Sequence, residues 1–185
     1  MQAQQESVRY TYADYAGWDD GVRYELIDGV IYMMSPAPAW EHQNVVGELY
    51  AQLHSFLRGK PCKVFVSPFD VRLNANENDD TVVQPDIVVI CDRLKLSGTG
   101  CKGVPDMLIE VLSPATAAND TLLKFNKYLK AGVKEYWIVD PDSKVASVHI
   151  LENGKYTVSA YSDTDVIPVQ TLDGCMIDMR DVFSE

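Results

Sequence analysis

The chain has no apolar run long enough to cross a bilayer, so no membrane-spanning helix is expected. Its start, MQAQQESVRYTYADYAGWDD, lacks a basic opening followed by an apolar stretch, so no secretory signal is expected either. Basic residues are scarce. Sixteen Lys and Arg face 27 Asp and Glu, giving a net charge of −11 over 185 residues. Neutralising a phosphate backbone takes clustered cations, so the charge argues against a broad nucleic-acid-binding surface and leaves room for a local basic patch. Cysteine pairs are missing too. Cys62, Cys91, Cys101 and Cys175 stand alone with no CxxC. This argues against a zinc knuckle and a disulfide framework, and a reducing cytoplasm is the simplest location.

What is present fits one domain over residues 1–185, with 1–20 as a lead-in segment. YELIDGVIYMM reads as a hairpin turning at Asp28-Gly29. After SPAPA, a helix is expected from about Trp40 to Arg58. Its apolar positions Val46, Leu49, Leu53, Phe56 and Leu57 recur at helical spacing, and Gly59 and Pro61 end it. KVFVSPFDVRL reads as a strand and NANENDD as a polar loop. VVQPDIVVI and DMLIEVLS read as two central strands. A second helix is expected over roughly Asp120–Ala131, capped by Asn119 or Asp120 and stopped by Gly132. KEYWIVD is a further strand, and VASVHI with KYTVSAY a hairpin around Glu152-Asn153-Gly154. A short segment ending in DVF closes the chain. This order implies an α/β or α+β domain, a mixed central sheet flanked by helices with extra hairpins.

The chemistry concentrates in the two central strands. Asp86 follows Pro85, which removes a ladder donor and marks a bulge or strand entry. A functional carboxylate and an Asp bonded to nearby amides are equally consistent with that. Glu110 sits in a run apolar on both faces, with Leu108 and Leu112 on its own face and Ile109 and Val111 on the other. A buried carboxylate costs several kcal/mol without a partner, so Glu110 requires a salt bridge or a metal. On the second helix, Leu122, Phe125, Tyr128 and Leu129 form an apolar arc at ~100° per residue. Lys124 borders it and can extend its amine inward. Lys127, Lys130 and Lys134 point to solvent, and that face is the best local basic patch for a phosphate backbone. Glu25 alternates with Ile27 on the first strand, and reads either as a third inward acid or as an exposed hairpin residue. His42 lies on the apolar stripe of the first helix, as a core histidine or one that binds substrate or orients an acid. The three Trp and ten Tyr form no evident stacking platform.

YELIDGVIYMMSP, His42, QPDIVV, IEVLSP, Asp120 with Lys124 to Tyr128, and AGVKEYWIVDP, in this order, resemble the Uma-type restriction endonuclease family of the PD-(D/E)XK nuclease superfamily. The resemblance runs from about Tyr24 to the C-terminus. It implies a restriction-endonuclease-like core with the metal site at one end of the central strands. It carries Asp86 over as the first acid and Glu110 as the second, both binding Mg²⁺ or Mn²⁺, with the Val111 carbonyl as a further ligand. The superfamily places its lysine two residues after the second acid. Leu112 stands there, so Lys124 is implied as the replacement. Glu25 matches the family's early glutamate and His42 its helix-start histidine. DNA is the implied substrate and a homodimer the implied assembly, with the EYWIVD strand and the terminal hairpin as candidate contacts. A catalytically inactive binding module of the same fold is the competing expectation, and the acidic charge favours it.

Overall fold

The computed structural model describes residues 8–34, 38–113 and 118–184; the side chains of 118–121 are not described. The elements are helix α1 (Tyr12–Tyr15), strands β1 (Tyr24–Ile27) and β2 (Val30–Met33), and helix α2 (Trp40–Leu57). Then come β3 (Lys63–Val66), β4 (Asp70–Arg72), β5 (Val82–Val83), β6 (Ile87–Ile90), β7 (Leu96–Ser97), β8 (Gly100–Lys102) and β9 (Met107–Val111). Helix α3 (Ala118–Ala131) leads to β10 (Glu135–Asp140), β11 (Val145–Glu152) and β12 (Lys155–Ser162). β13 (Val166–Pro168), β14 (Met176–Asp178) and α4 (Met179–Val182) end the chain.

Two six-stranded mixed sheets carry the fold. The first has the order β2-β1-β5-β4-β8-β7, the second β12-β11-β10-β9-β6-β3; β13 and β14 form a separate ribbon. The parallel pair β9–β10 is joined through α3, as a parallel connection requires. Alternation along the central strands fills two cores. Ile87, Val89, Ile109, Val111, Trp137 and Val139 join Leu49 and Leu53 of α2 and the C-terminal elements on one face of the second sheet. Val88, Ile90, Leu108 and Tyr136 join Tyr128 of α3 and Ile27, Val71 and Val83 of the first sheet on the other. Burial on both faces explains why these strands read as continuous apolar runs.

The expected hairpins form. Asp28 and Gly29 (φ 51° and 75°) turn the first, and Asn153 and Gly154 (φ 50° and 77°) the second. Several expectations need correction. KVFVSPFDVRL is two strands, because the chain leaves the second sheet after Val66 and enters the first at Asp70. VVQPDIVVI is likewise split, and the chain returns at Gln84–Asp86 between β5 and β6. Hydrophobicity continues through both crossings because both sheets border the same core. Helix α3 begins at Ala118, so Asn119 and Asp120 lie inside its first turn rather than capping it. Leu122 is 62% exposed and leaves the apolar arc. Lys134 lies beyond α3 and pairs with Asp106 at 3.0 Å. The EYWIVD strand is β10, central in its sheet and largely buried, so it offers no dimer contact.

Cys62 and Cys91 form a disulfide. They follow Lys63↔Ile90 in the antiparallel β3–β6 register, a proximity that 29 intervening positions hide in the sequence. Unpaired cysteines therefore no longer support a reducing compartment; Cys101 and Cys175 are free and buried. Among the described residues no helix is long and apolar enough to cross a membrane. Five rings of the lead-in and β1, Tyr10, Tyr12, Tyr15, Trp18 and Tyr24, do gather, with neighbouring centroids 5.4–6.0 Å apart.

Candidate functional site

Asp86 sits at the crossing from β5 to β6, where Pro85 supplies no ladder donor. Its carbonyl accepts the Ser67 N–H at 3.0 Å, so the two crossings are tied together. Its Oδ2 accepts the Val111 N–H at 2.8 Å. Continuing the Ile87↔Ile109 register sets Asp86 opposite Glu110. His42, in the first turn of α2, is buried and places Nε2 3.3 Å from the same Oδ2. Its Nδ1 is buried and has no hydrogen-bond partner among the described residues.

Glu110 faces α3 as the alternation predicts. Its Oε1 accepts the Tyr128 hydroxyl at 2.7 Å and lies 3.3 Å from Lys124 Nζ. Lys124 and Tyr128 are one helical turn apart and so share a face. Lys124 Nζ also reaches Glu25 Oε1 at 2.9 Å, and that oxygen accepts the Gln84 N–H at 2.8 Å. Glu25 is thus buried and inward, the first of its two readings. The five residues Asp86, Glu110, Lys124, Glu25 and His42 come together.

Lys127 does not join them. It pairs with Asp28 at the hairpin turn. Lys127 on Asp28 and Lys134 on Asp106 give two of the three lysines expected to face solvent an acidic partner.

The electrostatics follow from burial. Desolvation pushes the Glu110 carboxyl up to about 7; Lys124 opposes this, and the charges of Asp86 and Glu25 add to it. Burial acts to lower His42, but the Asp86 carboxylate, the Val111 carbonyl and Glu110 outweigh it and raise the ring's pKa. The Tyr128 hydroxyl is pushed well up by burial and by Glu110, so it stays a donor.

Two carboxylates, Glu25 and Glu110, share the buried Lys124 amine, and a third, Asp86, stands beside His42, so acids outnumber lysines in a partly dry site. Among the described residues no three His, Cys, Asp or Glu side chains cluster tightly enough to hold a metal alone. Every hydrogen bond of the Asp86 and Glu110 side chains among those residues uses a single oxygen, Oδ2 and Oε1. Two acids with a spare oxygen each, beside a backbone carbonyl, suit a hard cation that keeps most of its waters. The donor set therefore fits Mg²⁺ or Mn²⁺.

Sequence reasoning missed the Tyr128 hydroxyl, counted only as apolar, and a polar network around Gln84. The Gln84 side chain joins Arg23 (2.6 Å), the Tyr15 hydroxyl (3.0 Å) and Asp70 (2.9 Å). Its position two residues before Asp86 was the available signal.

Residues 11–180 match the family model Uma2, described as "Putative restriction endonuclease". The chain belongs to the Uma2 family. A solved structure similar to this Uma2 chain is that of a putative nuclease of DUF820 from Anabaena variabilis. The TM-score is 0.75 at 20% identity, covering 94% of this chain and 97% of that one, which establishes the fold. An uncharacterised protein of Synechocystis sp. is 25% identical over 163 residues, 86% of this chain and 84% of its own length. Uma2 membership and the nuclease-like fold together support a nuclease acting on nucleic acid.

Proposed function

We propose that this protein is a metal-dependent endonuclease that hydrolyses phosphodiester bonds of DNA. The observation that carries the reading is the buried Lys124 amine, delivered from α3 to Glu110 and Glu25 together. Leu112 occupies the position where a strand-borne lysine would stand, so the helix supplies the amine from the same sheet face.

Asp86 and Glu110 would hold Mg²⁺ or Mn²⁺, with the Val111 carbonyl as a third oxygen. The bound ion would acidify water and stabilise charge on the phosphate oxygens. Lys124 donates toward the attacking water or the developing phosphorane charge, in a site dry enough to strengthen that interaction. Glu25 fixes the amine from the opposite side, and Tyr128 fixes the Glu110 carboxylate. His42 orients Asp86 through its Nε2. Lys127 contacts the backbone only if it leaves Asp28. A homodimer would cut two strands, with the exposed edge strand β12 as its remaining candidate contact.

A second reading, an inactive module of the same fold, draws on the net charge of −11. Cleavage of plasmid and single-stranded DNA in Mn²⁺, Mg²⁺ and EDTA separates the two. Metal-dependent cutting lost in a folded Glu110→Ala protein supports the nuclease. Cutting retained in that variant rejects the site.

A further inference from the structure

We propose that Arg23 and Tyr32 seat the nucleic-acid strand over the acids, Arg23 on a phosphate and Tyr32 against a sugar or base. This rests on the nuclease reading above. Arg23 precedes Glu25 by two residues on an extended segment, so the two side chains leave the same face about 7 Å apart. Tyr32 pairs directly with Glu25 across the β1–β2 ladder. Directly paired residues share a sheet face, so Tyr32 stands beside Glu25 on the site side. Tyr32 is 39% exposed. Tyr24 alternates away from that face, where its hydroxyl bonds Asp20 at 2.6 Å. The aromatic group around Trp18 is tied to Gln84 through the Tyr15 hydroxyl at 3.0 Å, Tyr128 is buried against Glu110, and Tyr32 is an exposed ring paired directly with Glu25.

Charge singles out Arg23. The cations nearest the acids are paired, Lys124 with Glu25 and Glu110 and Lys127 with Asp28, and so is Arg72 with Asp79 on the same sheet. Arg23 is exposed, and its hydrogen bonds go to neutral acceptors, Gln84 Oε1 at 2.6 and 3.1 Å and Ser67 Oγ at 2.7 Å. Those bonds hold the guanidinium still without cancelling its charge. Ser67 and Gln84 are the two crossing points, and each is also tied to the site. The Ser67 N–H bonds the Asp86 carbonyl, and the Gln84 N–H bonds Glu25. Among the described residues this guanidinium has no carboxylate partner, and its fork at the rim of a carboxylate site suits an anion that offers two oxygens side by side, as a phosphodiester does. An exposed ring one strand away adds a stacking face that tolerates any base.

The test measures binding of a labelled single-stranded oligonucleotide against salt in Ca²⁺, using Glu110→Gln protein to prevent cutting. Arg23→Gln keeps a hydrogen-bonding group and removes the charge. It is expected to weaken binding and to lower the slope of log K against log salt by about 0.7, the share of one phosphate contact on a single strand. Arg23→Lys keeps the slope. Tyr32→Ala weakens binding by about tenfold with the slope unchanged, since stacking is not a counterion effect. An unchanged slope in folded Arg23→Gln overturns the Arg23 assignment. Should that variant not fold, Tyr32→Ala on its exposed edge decides, and undiminished binding overturns the inference. Metal-dependent cutting by wild-type protein alongside either negative result removes this inference alone. No binding and no cutting by wild-type protein removes the nuclease reading with it.

Discussion

Lys124 holds two buried carboxylates at once, and its side chain is only 10% exposed. Removing the amine leaves Glu25 and Glu110 without the cation they share, while Asp86 keeps His42. Breaking a buried ion pair from one side costs about 3–5 kcal/mol. Lys124→Met is therefore expected to lose a stability of that order in urea unfolding, and Lys124→Met with Glu25→Gln to recover part of it. Unchanged unfolding in the single variant would show that the amine is solvated. Glu110 gives a pH signature. Its folded value of about 7 lies above the ordinary 4.5. Between those values the folded protein keeps a proton that the unfolded chain has released. Its contribution is thus full below pH 4.5 and is lost as pH rises through about 7. Thermal melts of metal-free protein should fall across that window, and Glu110→Gln should flatten the fall. At this scale much was legible. Glu110 announced itself because a charge inside an apolar run is costly, whereas Asp86 stayed open between two readings and Lys124 stood only at the border of its apolar arc. Glu25 stayed open, since alternation in one hairpin strand does not say which face is covered. Lys127 looked solvent-facing because its partner Asp28 is 99 residues away.

The elements place these residues through two crossings between sheets, at Ser67–Phe69 and Gln84–Asp86. Local propensity sees only extended apolar chain on both sides of each, so the sequence reading joined what the structure divides. The short strands β7 and β8 were missed for the same reason, as was β14; each has three residues or fewer. The hairpins and the ends of α2 and α3 were legible because Asn-Gly, Asp-Gly and terminal Gly carry backbone requirements. Gly29 is one such position. It has φ 75°, and a Cβ there would meet the Arg9 Cβ at 2.9 Å. Gly29→Ala should cost more than about 1 kcal/mol in chemical unfolding; a neutral result would mean the turn is not fixed. The β3–β6 ladder is pinned at its outer end by Cys62–Cys91. Closing a loop of this length is worth about 3–4 kcal/mol in the chain-entropy account. Unfolded, unreduced protein should titrate two thiols rather than four, and reductant should lower the unfolding midpoint. Four thiols would exclude the bond.

Across the whole molecule, a net charge of −11 and a nuclease family sit together uneasily. The structure eases the conflict locally. Most nearby cations are committed to acids, while surplus carboxylates gather at one end of the central strands, where a divalent cation would reverse the local field. Mg²⁺ or Mn²⁺ should raise the melting temperature of wild-type protein and not of Asp86→Asn. An equal shift in both would place the cation elsewhere on the acidic surface. Fold class was readable from element order, and the separate β2-β1-β5-β4-β8-β7 sheet was not, because its short strands gain their stability from packing rather than pattern. The most direct measurement is DNA cleavage by purified protein in Mn²⁺, Mg²⁺ and EDTA, with Glu110→Ala beside it. The account predicts metal-dependent cutting that the folded variant loses. Folded wild-type protein that cuts nothing under any of these conditions would contradict it.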